Sequence, residues 1–329
     1  MTLRSRVLWS LGIAGLLGAA PLPAQTHVII VTGASGEQQY ASSFHAAASS
    51  LVDALVARFG FAADDITYLA EDPARDTKRI DGRSSKQELT QAITRTASRS
   101  GDRVLLFLIG HGSHAGNDSR FNLPGPDLTA AELGVLLEPL KSKQVAIVNA
   151  ASASGDFMPA LSARNRIVIT ATKSSHERNE TLFPKHFVAA FTTAGADTDK
   201  DERVSLLEAF IYAKREVARA YESDSRLATE HAMLDDDGDR RGSADPDPRA
   251  GDGAAARRFI IGARAASAAT ASNTGDATLV KRKEQLEAQV EALRRRKETM
   301  AADAYSTELE RLLVELARVN QSLREGKSQ

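Results

Sequence analysis

The feature that most constrains the fold is an alternation of short apolar runs with longer helical patterns. Each apolar run is bounded by polar or glycine-containing turns, which is typical of buried strands in a parallel sheet. Strands that alternate with helices predict a doubly wound, mostly parallel α/β sheet with helices on both faces. The strand candidates are 27–33, 66–72, 103–110, 144–150 and 166–173, and the helix candidates are 40–60, 85–99, 129–140, 184–194 and 204–222.

Composition limits the partners and the chemistry. The 329 residues are enough for one α/β core with an appendage. With a net charge of −1, no overall field attracts nucleic acid or an anionic membrane, so we expect no nucleic-acid partner. The chain has no cysteine, which excludes disulfides, thiolate metal sites and a cysteine nucleophile.

Residues 1–24 have the pattern of a signal peptide. The basic start MTLRSR precedes an apolar run of 14 residues, and small residues lead to a cleavage site near Ala24. The run is shorter than the roughly 20 residues that span a bilayer. We therefore expect a periplasmic or secreted chain that starts near Gln25 and has no integral membrane span after signal removal. The alternative is a retained N-terminal anchor.

The turns after the predicted strands form the candidate site, because ligands in such sheets bind beyond the carboxyl ends of the strands. These turns read GASGE, GHGSHAGNDS, NAASASGDF and KSSHERNE. The first is similar to a dinucleotide-binding turn, but Gln38 stands where the third glycine of that pattern is expected. We therefore expect no organic cofactor.

Two of these turns carry a resemblance to a known family. The run LLFLIGHG contains His111 and Gly112, and the later run VAIVNAASASG ends at Gly155. This pair of blocks resembles the legumain family of cysteine peptidases, in the same clan as the caspases. The resemblance implies a caspase-like fold over roughly 27–235 and a peptide or protein ligand. It matches His111 and Gly112 to the catalytic His-Gly pair and places Ser152 at the position of the catalytic cysteine.

A serine at this position changes the chemistry that the resemblance implies. In the family, a thiolate attacks the peptide carbonyl while the histidine transfers protons, and a thiol ionises far more readily than a hydroxyl. A serine nucleophile needs a histidine within hydrogen-bond reach and a third group that orients it. Our main hypothesis is an inactive peptidase homologue that binds peptide or protein. The alternative is an endopeptidase that uses Ser152 with His111 as its base.

Candidate substrate contacts come from the first and last of these turns. Where legumain-type enzymes have an Asn near the histidine and an Arg in the specificity pocket, this chain has Ser35 and Ala41. The resemblance therefore does not imply specificity for an Asn side chain. Glu177 and Arg178 are candidate contacts to a bound peptide, and the alternative is that their segment only begins a helix.

His111 and the small-residue turn also have plain interpretations. His111 and His114 are a partial pair of metal ligands without a third ligand at a motif spacing. His111 is otherwise a histidine at the edge of the core, bonded to backbone. The run 150–154 is then tight packing of small residues between a strand and a helix.

The segment DTDKDERVSLLE matches an EF-hand-type calcium loop, which supplies oxygens from fixed positions of twelve. Its sixth position holds Glu202 instead of glycine, and the alternative is an acidic cap on the next helix. A second calcium-like cluster, 234–242, has Arg240 and Arg241 where a glycine or a further acid is expected, and the alternative there is a loop. The predicted Ca²⁺ ligands are Asp197, Asp199, Asp201, Arg203 through its carbonyl, Ser205 and Glu208.

The C-terminal part differs from the predicted α/β domain at 25–242. Residues 243–278 are rich in Ala, Ser, Gly, Asp and Pro, which predicts a linker with one short strand at 257–263. Apolar residues at heptad spacing over 279–325 predict a helical hairpin or coiled coil. Because a hairpin buries too little by itself, we expect it to dock on the core, self-associate or hold a partner. A scaffold that acts through this segment is the third functional hypothesis, and its basic stretch 294–297 is interpreted as a solvated face.

Overall fold

A computed structural model describes residues 26–101, 103–116, 118–193, 195–198, 200, 203–249, 251–261 and 300–326. It also describes positions 278, 279, 282, 283, 285, 286, 289, 290 and 293. The signal peptide predicted at 1–24, its cleavage site and the basic stretch 294–297 lie outside the described residues.

The described strands and helices alternate along most of the chain. The strands are β1 (Thr26–Thr32), β2 (Ile66–Ala70), β3 (Gly82–Arg83), β4 (Arg103–Ile109), β5 (Gly112–Ala115), β6 (Asp118–Phe121), β7 (Leu128–Thr129), β8 (Gln144–Asn149), β9 (Arg166–Thr170), β10 (Val204–Ser205), β11 (Met233–Asp235) and β12 (Ile260–Ile261). The helices are α1 (Gln38–Ala57), α2 (Lys86–Ser98), α3 (Ala130–Leu136), α4 (Met158–Leu161), α5 (Phe183–Thr192), α6 (Leu206–Ser223), α7 (Ala254–Arg258) and α8 (Ala302–Gly326).

The central sheet has seven strands in the order β11-β9-β8-β4-β1-β2-β3. Its neighbouring strands are parallel except at the edge, where β11 runs antiparallel to β9. The five predicted strands correspond to β1, β2, β4, β8 and β9. The predicted fold class, a mostly parallel α/β sheet flanked by helices, is confirmed.

Helices cover both faces of this sheet, which explains why its strands are continuous apolar runs. Successive side chains of a strand point to opposite faces, so each strand contributes to two separate cores. One core joins the sheet to α1, α5 and α6 through residues such as Ile30, Phe107, Leu51, Phe187 and Phe210. The other joins it to α2, α3 and α4 through residues such as Val31, Leu106, Ile93, Leu133 and Leu161.

A small three-stranded sheet, β5-β6-β7, follows directly after β4 and was not predicted from the sequence. Its short strands GSHA and DSRF lack the apolar runs that mark the central strands. Backbone hydrogen bonds fasten it to the turns after β4 and β1: Asn122 N donates to His111 O at 3.0 Å, and Ala34 N donates to Asn122 O at 2.9 Å. This sheet therefore fixes the residues beside His111.

The short strand predicted at 257–263 is present as β12, which pairs with β10. Phe259 and Ile261 are completely buried in the core beneath α6. Leu206 N also donates to Phe259 O at 2.9 Å. The segment predicted as a linker is therefore structured up to Ile261.

The described C-terminal residues support the predicted helical hairpin. Positions such as 285, 286, 289 and 290 are helical, and α8 follows them. One apolar cluster joins the two parts and contains Leu286, Val290, Leu293, Leu312 and Val319. Arg282 Nε donates to Glu315 Oε1 across them at 3.1 Å. Within the described residues, we find no helix with the length and apolar character that a membrane span requires.

Candidate functional site

The candidate site lies where the order of the sheet strands reverses. From β1 the chain moves outward to β2 and β3, whereas from β4 it moves in the other direction to β8 and β9. In doubly wound sheets, ligands bind at such a point, beyond the carboxyl ends of the adjacent strands, which here are β1 and β4. The structure brings together here the turn of Ser35, the His111–Gly112 pair and the turn of Ser152.

The His111 ring is half-buried and held by backbone and aromatic contacts. The backbone of Ser35 lies near enough to the ring to act on its pKa. The rings of Tyr40 and Phe44 meet it edge-on, with centroids at 4.6 and 5.1 Å. Burial lowers the pKa of His111, although the Ser35 carbonyl and the charge of Glu37 act in the opposite direction. The imidazole is therefore biased towards its neutral form and has a fixed orientation.

Glu71 supports this arrangement and was not among the residues chosen from the sequence. Its Oε2 accepts hydrogen bonds from Ser35 N at 3.0 Å and from Ser35 Oγ at 2.5 Å. The carboxylate thereby holds Ser35, whose backbone lies near the His111 ring. The available signal was an acidic residue directly after β2, at the same edge of the sheet as the other candidate residues.

The Ser152 hydroxyl is buried against the backbone of Gly112. The residue is 2% exposed. Its Oγ accepts from Gly112 N at 3.1 Å and lies 3.4 Å from Gly112 O, to which it donates. Among the contacts of these described residues, no hydrogen bond joins Ser152 to the His111 ring. The contact that activates a serine nucleophile, at about 2.6–3.2 Å, is thus not formed.

Glycine is required at Gly112 and at Gly155 because backbone passes very close to both. A Cβ atom on Gly112 would lie 2.1 Å from the carbonyl oxygen of Ser152. A Cβ atom on Gly155 would lie 2.2 Å from the backbone of Lys173 and Ser174. These glycines allow β5 and the loop after β9 to press against the turn of Ser152.

The turn of Ser152 is also fastened by hydrogen bonds from the segment after β9. Ala153, which has a left-handed φ of 52°, donates its N–H to Glu177 O at 2.7 Å. Gly155 N donates to Thr172 Oγ1 at 3.0 Å. The small residues from Ala150 to Ser154 are all buried, which agrees with the interpretation of this run as tight packing.

The two predicted substrate contacts after β9 differ in their surroundings. The carboxylate of Glu177 accepts from Lys173 N at 2.9 Å and from His231 N at 3.1 Å, so it fastens the loop after β9 to the segment before β11. The side chain of Arg178 is exposed, and its Nε donates to Ser175 O at 3.3 Å. Of this pair, Arg178 is the residue that faces solvent.

With this geometry established, comparison with known proteins shows what the chain is similar to. The model of the Peptidase C13 family matches residues 78–233, just under half of the chain. Over these residues the protein is a homologue of Peptidase C13. The matched segment contains the His111–Gly112 block, Ser152, Glu177 and Arg178, whereas Ser35 precedes it. This C13 homologue has no cysteine, so a thiolate nucleophile is absent from it.

Comparison of whole proteins adds two similar structures. No curated protein matches the chain. The crystal structure of drICE is similar, with 10% identity, a TM-score of 0.38, and coverage of 61% of this chain and 85% of that chain. The crystal structure of Chaetomium thermophilum Raptor has 11% identity and a TM-score of 0.31, with coverage of 55% of this chain and 20% of that chain.

Two other site predictions concern metals. Within the described part of the C13 homologue, His111 and His114 do not belong to a cluster of three potential metal ligands. His114 Nδ1 instead lies 3.4 Å from Ser119 Oγ.

Of the predicted calcium ligands at 197–208, Asp199 and Asp201 lie outside the described residues. Glu208 Oε2 accepts from Ser205 N at 2.9 Å and Ser205 Oγ at 2.8 Å, which is a capping box on α6. Its Oε1 accepts from Thr198 N at 3.0 Å. The acidic-cap interpretation accounts for this carboxylate, and calcium binding by the loop stays a prediction.

Proposed function

We propose that this C13 homologue is catalytically inactive and binds an extended peptide, free or within a protein, beside His111 and Ser152. The observation that carries the proposal is the position of the Ser152 hydroxyl. It is buried and bonds to the backbone of Gly112, not to the histidine that would have to activate it. The chain has no cysteine that could act in its place.

The physical argument concerns the proton of the hydroxyl. A serine attacks a carbonyl only as a base takes its proton, because the hydroxyl itself hardly ionises near neutral pH. Burial lowers the pKa of His111, which favours the neutral form that a base requires. Its ring, however, packs against Tyr40 and Phe44, and among the described contacts no hydrogen bond connects it to Ser152. The nucleophile therefore lacks its activation.

Peptide binding is supported by the strand that follows His111. β5 lies at the edge of the small sheet, so beyond Gly112, whose N–H and C=O bond to Ser152 Oγ, one side of it offers backbone groups to a further strand. Extended peptides add to such edges through main-chain hydrogen bonds. The exposed guanidinium of Arg178, on the loop that contacts the Ser152 turn, adds a cation for an acidic group of the ligand.

The proposal is tested with a diverse peptide library, assayed for cleavage and for binding by the purified chain. The variants are Ser152→Ala and Ser152→Cys, with Ser98→Ala as the matched control at an exposed serine of α2. We expect binding without cleavage by the parent, the control and Ser152→Ala. Cleavage by Ser152→Cys alone would support a formed cleft that has lost its nucleophile. An absence of peptide binding by the parent contradicts the binding role.

The same experiment tests the second candidate, a serine endopeptidase. One observation favours it: Gly112 N–H lies beside the nucleophile, 3.1 Å from Ser152 Oγ, and is thus close to where the oxyanion of an attacked carbonyl would form. Turnover by the parent that disappears in Ser152→Ala would establish this candidate and overturn inactivity.

We also propose that the helical hairpin at 279–325 mediates self-association. The described apolar cluster shows two helical parts packed on one another, and α8 additionally exposes Leu313 and Val314. Analytical ultracentrifugation of the chain and of a chain ending at 278 tests the idea. Association that persists without the hairpin contradicts it.

Export to the periplasm or medium is proposed from the pattern of residues 1–24. The supporting features are the basic start, the apolar run and the small residues near Ala24. The mass of the chain recovered from the periplasm identifies the start. A chain that keeps residues 1–24 supports the retained anchor instead.

A further inference from the structure

We propose that the loop after β11 binds Ca²⁺ through Asp235, Asp237 and Asp239. One carboxylate oxygen from each residue lies within 4.8 Å of the other two. Side chains at every second position are the spacing with which calcium loops supply their first three ligands. This is a different segment from the loop predicted at 197–208.

The observation that points to a ligand is an orphaned oxygen of Asp235. The residue is 1% exposed, and its Oδ2 is buried without a hydrogen bond of acceptable geometry within the described structure, although the Ser162 hydroxyl lies near the carboxyl. Its Oδ1, in contrast, accepts from Gly238 N at 3.1 Å. A buried carboxylate oxygen without a hydrogen-bond partner is costly, and such atoms are rare in native proteins. A cation where the three carboxylates converge supplies the missing partner.

The other two carboxylates are held in place by one oxygen each. Asp237 Oδ1 accepts from Asp239 N at 2.9 Å, and Asp239 Oδ1 accepts from Arg241 N at 2.7 Å. In the part of the chain that the structure describes, Asp235, Asp237 and Asp239 form no ion pair. Their negative charges therefore converge without a side-chain cation to neutralise them, and their second oxygens remain available.

The structure also removes an objection that the sequence raises. Calcium loops have glycine at the sixth position because the chain turns sharply there. Counted from Asp235, that position is Arg240, which has a φ of 70° and thus already adopts the left-handed conformation. Arg240 N donates to Ser162 Oγ at 3.1 Å, which fastens the turn to the end of α4. The carbonyl of Arg241 then stands at the seventh position, from which such loops donate a backbone oxygen.

The ligand chemistry favours Ca²⁺ and sets its affinity. The available ligands are all oxygens, and the exposure of Asp237 and Asp239 leaves room for water to complete a shell of six to eight. The twelfth position is Pro246 instead of a bidentate Glu. We therefore expect binding in the weak class of about 10⁻⁴–10⁻³ M that serves extracellular modules.

The position of the site indicates what the ion does. Because β11 is antiparallel to β9, its last residue lies at the edge of the sheet opposite to Ser152. Asp236, between two of the ligands, accepts from Gly253 N at 2.9 Å and Ala256 N at 2.7 Å at the start of α7. Calcium would thus join β11, the turn after α4 and α7, and stabilise the fold without touching the peptide site.

The test is calorimetric titration of the chelator-treated full chain with CaCl₂, together with thermal unfolding. The double variant Asp237→Asn, Asp239→Asn changes exposed side chains, so we expect it to fold. A matched control, Asp156→Asn with Asp224→Asn, removes the same charge at exposed positions elsewhere. The variant Asp197→Asn, Asp199→Asn removes the contribution of the loop predicted at 197–208.

We expect Ca²⁺ to raise the melting temperature of the parent, the control and the Asp197 variant, and the double variant to lose at least about tenfold in affinity at this site. A double variant that binds as many ions as tightly as the parent would overturn the proposal. So would a parent that binds no Ca²⁺ at about 10⁻² M, well above the expected range. A response to Mg²⁺ without one to Ca²⁺ would refute the choice of ion.

Discussion

Replacement of Gly112 by alanine tests the contact on which the candidate site depends. A Cβ atom at this position would lie 2.1 Å from the carbonyl oxygen of Ser152, in the backbone of a buried turn. The two segments would have to separate by about 1 Å, and overpacking of this kind costs about 1–3 kcal/mol. The shift also weakens the hydrogen bond from Gly112 N to Ser152 Oγ, which contributes about 0.5–1.5 kcal/mol.

Alanine also reduces the conformational entropy of the unfolded chain, which raises the free energy of unfolding by about 0.4–1 kcal/mol. We therefore expect Gly112→Ala to lower the free energy of unfolding by about 2–3 kcal/mol. Urea unfolding at equilibrium measures the change, provided that the slope with denaturant is the same in both proteins.

Gly116, in the same hairpin, supplies the matched control. A Cβ atom there meets nothing within 4 Å, but the residue has a φ of 65°. Gly116→Ala should thus cost only the strain of the left-handed conformation, about 1–2 kcal/mol, less the same gain from the unfolded state. If Gly112→Ala is no more destabilising than Gly116→Ala, β5 is not pressed against the Ser152 turn and our reasoning about the site is refuted.

Three further predictions concern carboxylates and the histidine. Glu71→Gln should weaken the charge-assisted bonds to Ser35 by about 1–2 kcal/mol and shift the imidazole resonances of His111, and unchanged resonances would show that Glu71 does not position the ring. NMR titration should place the pKa of His111 below 6.5, the value of the unfolded chain. Because the unfolded state then takes up the proton first, the free energy of unfolding should fall as the pH drops below 6.5, and His111→Gln should remove this contribution. A pKa above 6.5 contradicts the burial argument. Glu230→Ala should cost about 2–4 kcal/mol because its buried carboxylate accepts two hydrogen bonds at the start of α5 and one from Tyr221 of α6, whereas the exposed Glu222→Ala should cost under about 0.5 kcal/mol; equal losses would contradict this role.

The central strands were predictable because they are buried on both faces. A run such as RVLLFLI has no polar interruption, so its apolar residues mark β4 without knowledge of its partners. The same reasoning missed β5, β6 and β11, which are short strands that contain polar residues. These strands depend on pairing with distant segments, such as Leu234 with Ile169, and the local sequence pattern does not predict that pairing.

The site was predictable in position but not in its contacts. Residues at the carboxyl ends of adjacent parallel strands must converge, and His111 and Ser152 were found by that rule together with the family motif. The orientation of the Ser152 hydroxyl depends on a backbone contact with Gly112, and the support from Glu71 depends on the pairing of β1 with β2. Such features arise from packing between segments that are far apart in the chain.

The glycines of the family motif illustrate why a motif and an activity are separable. Gly112 and Gly155 are required here because a Cβ atom would collide with the backbone of Ser152 and of Lys173, whether or not any peptide is cleaved. The presence of these glycines therefore indicates close packing of three segments and does not indicate a catalytic nucleophile. The serine at position 152 fits this packing, since its hydroxyl is satisfied by Gly112. A chain can consequently lose the nucleophile of the family and keep the glycines that its packing requires. Ser152→Cys distinguishes a site that lacks only its nucleophile from a site that lacks more.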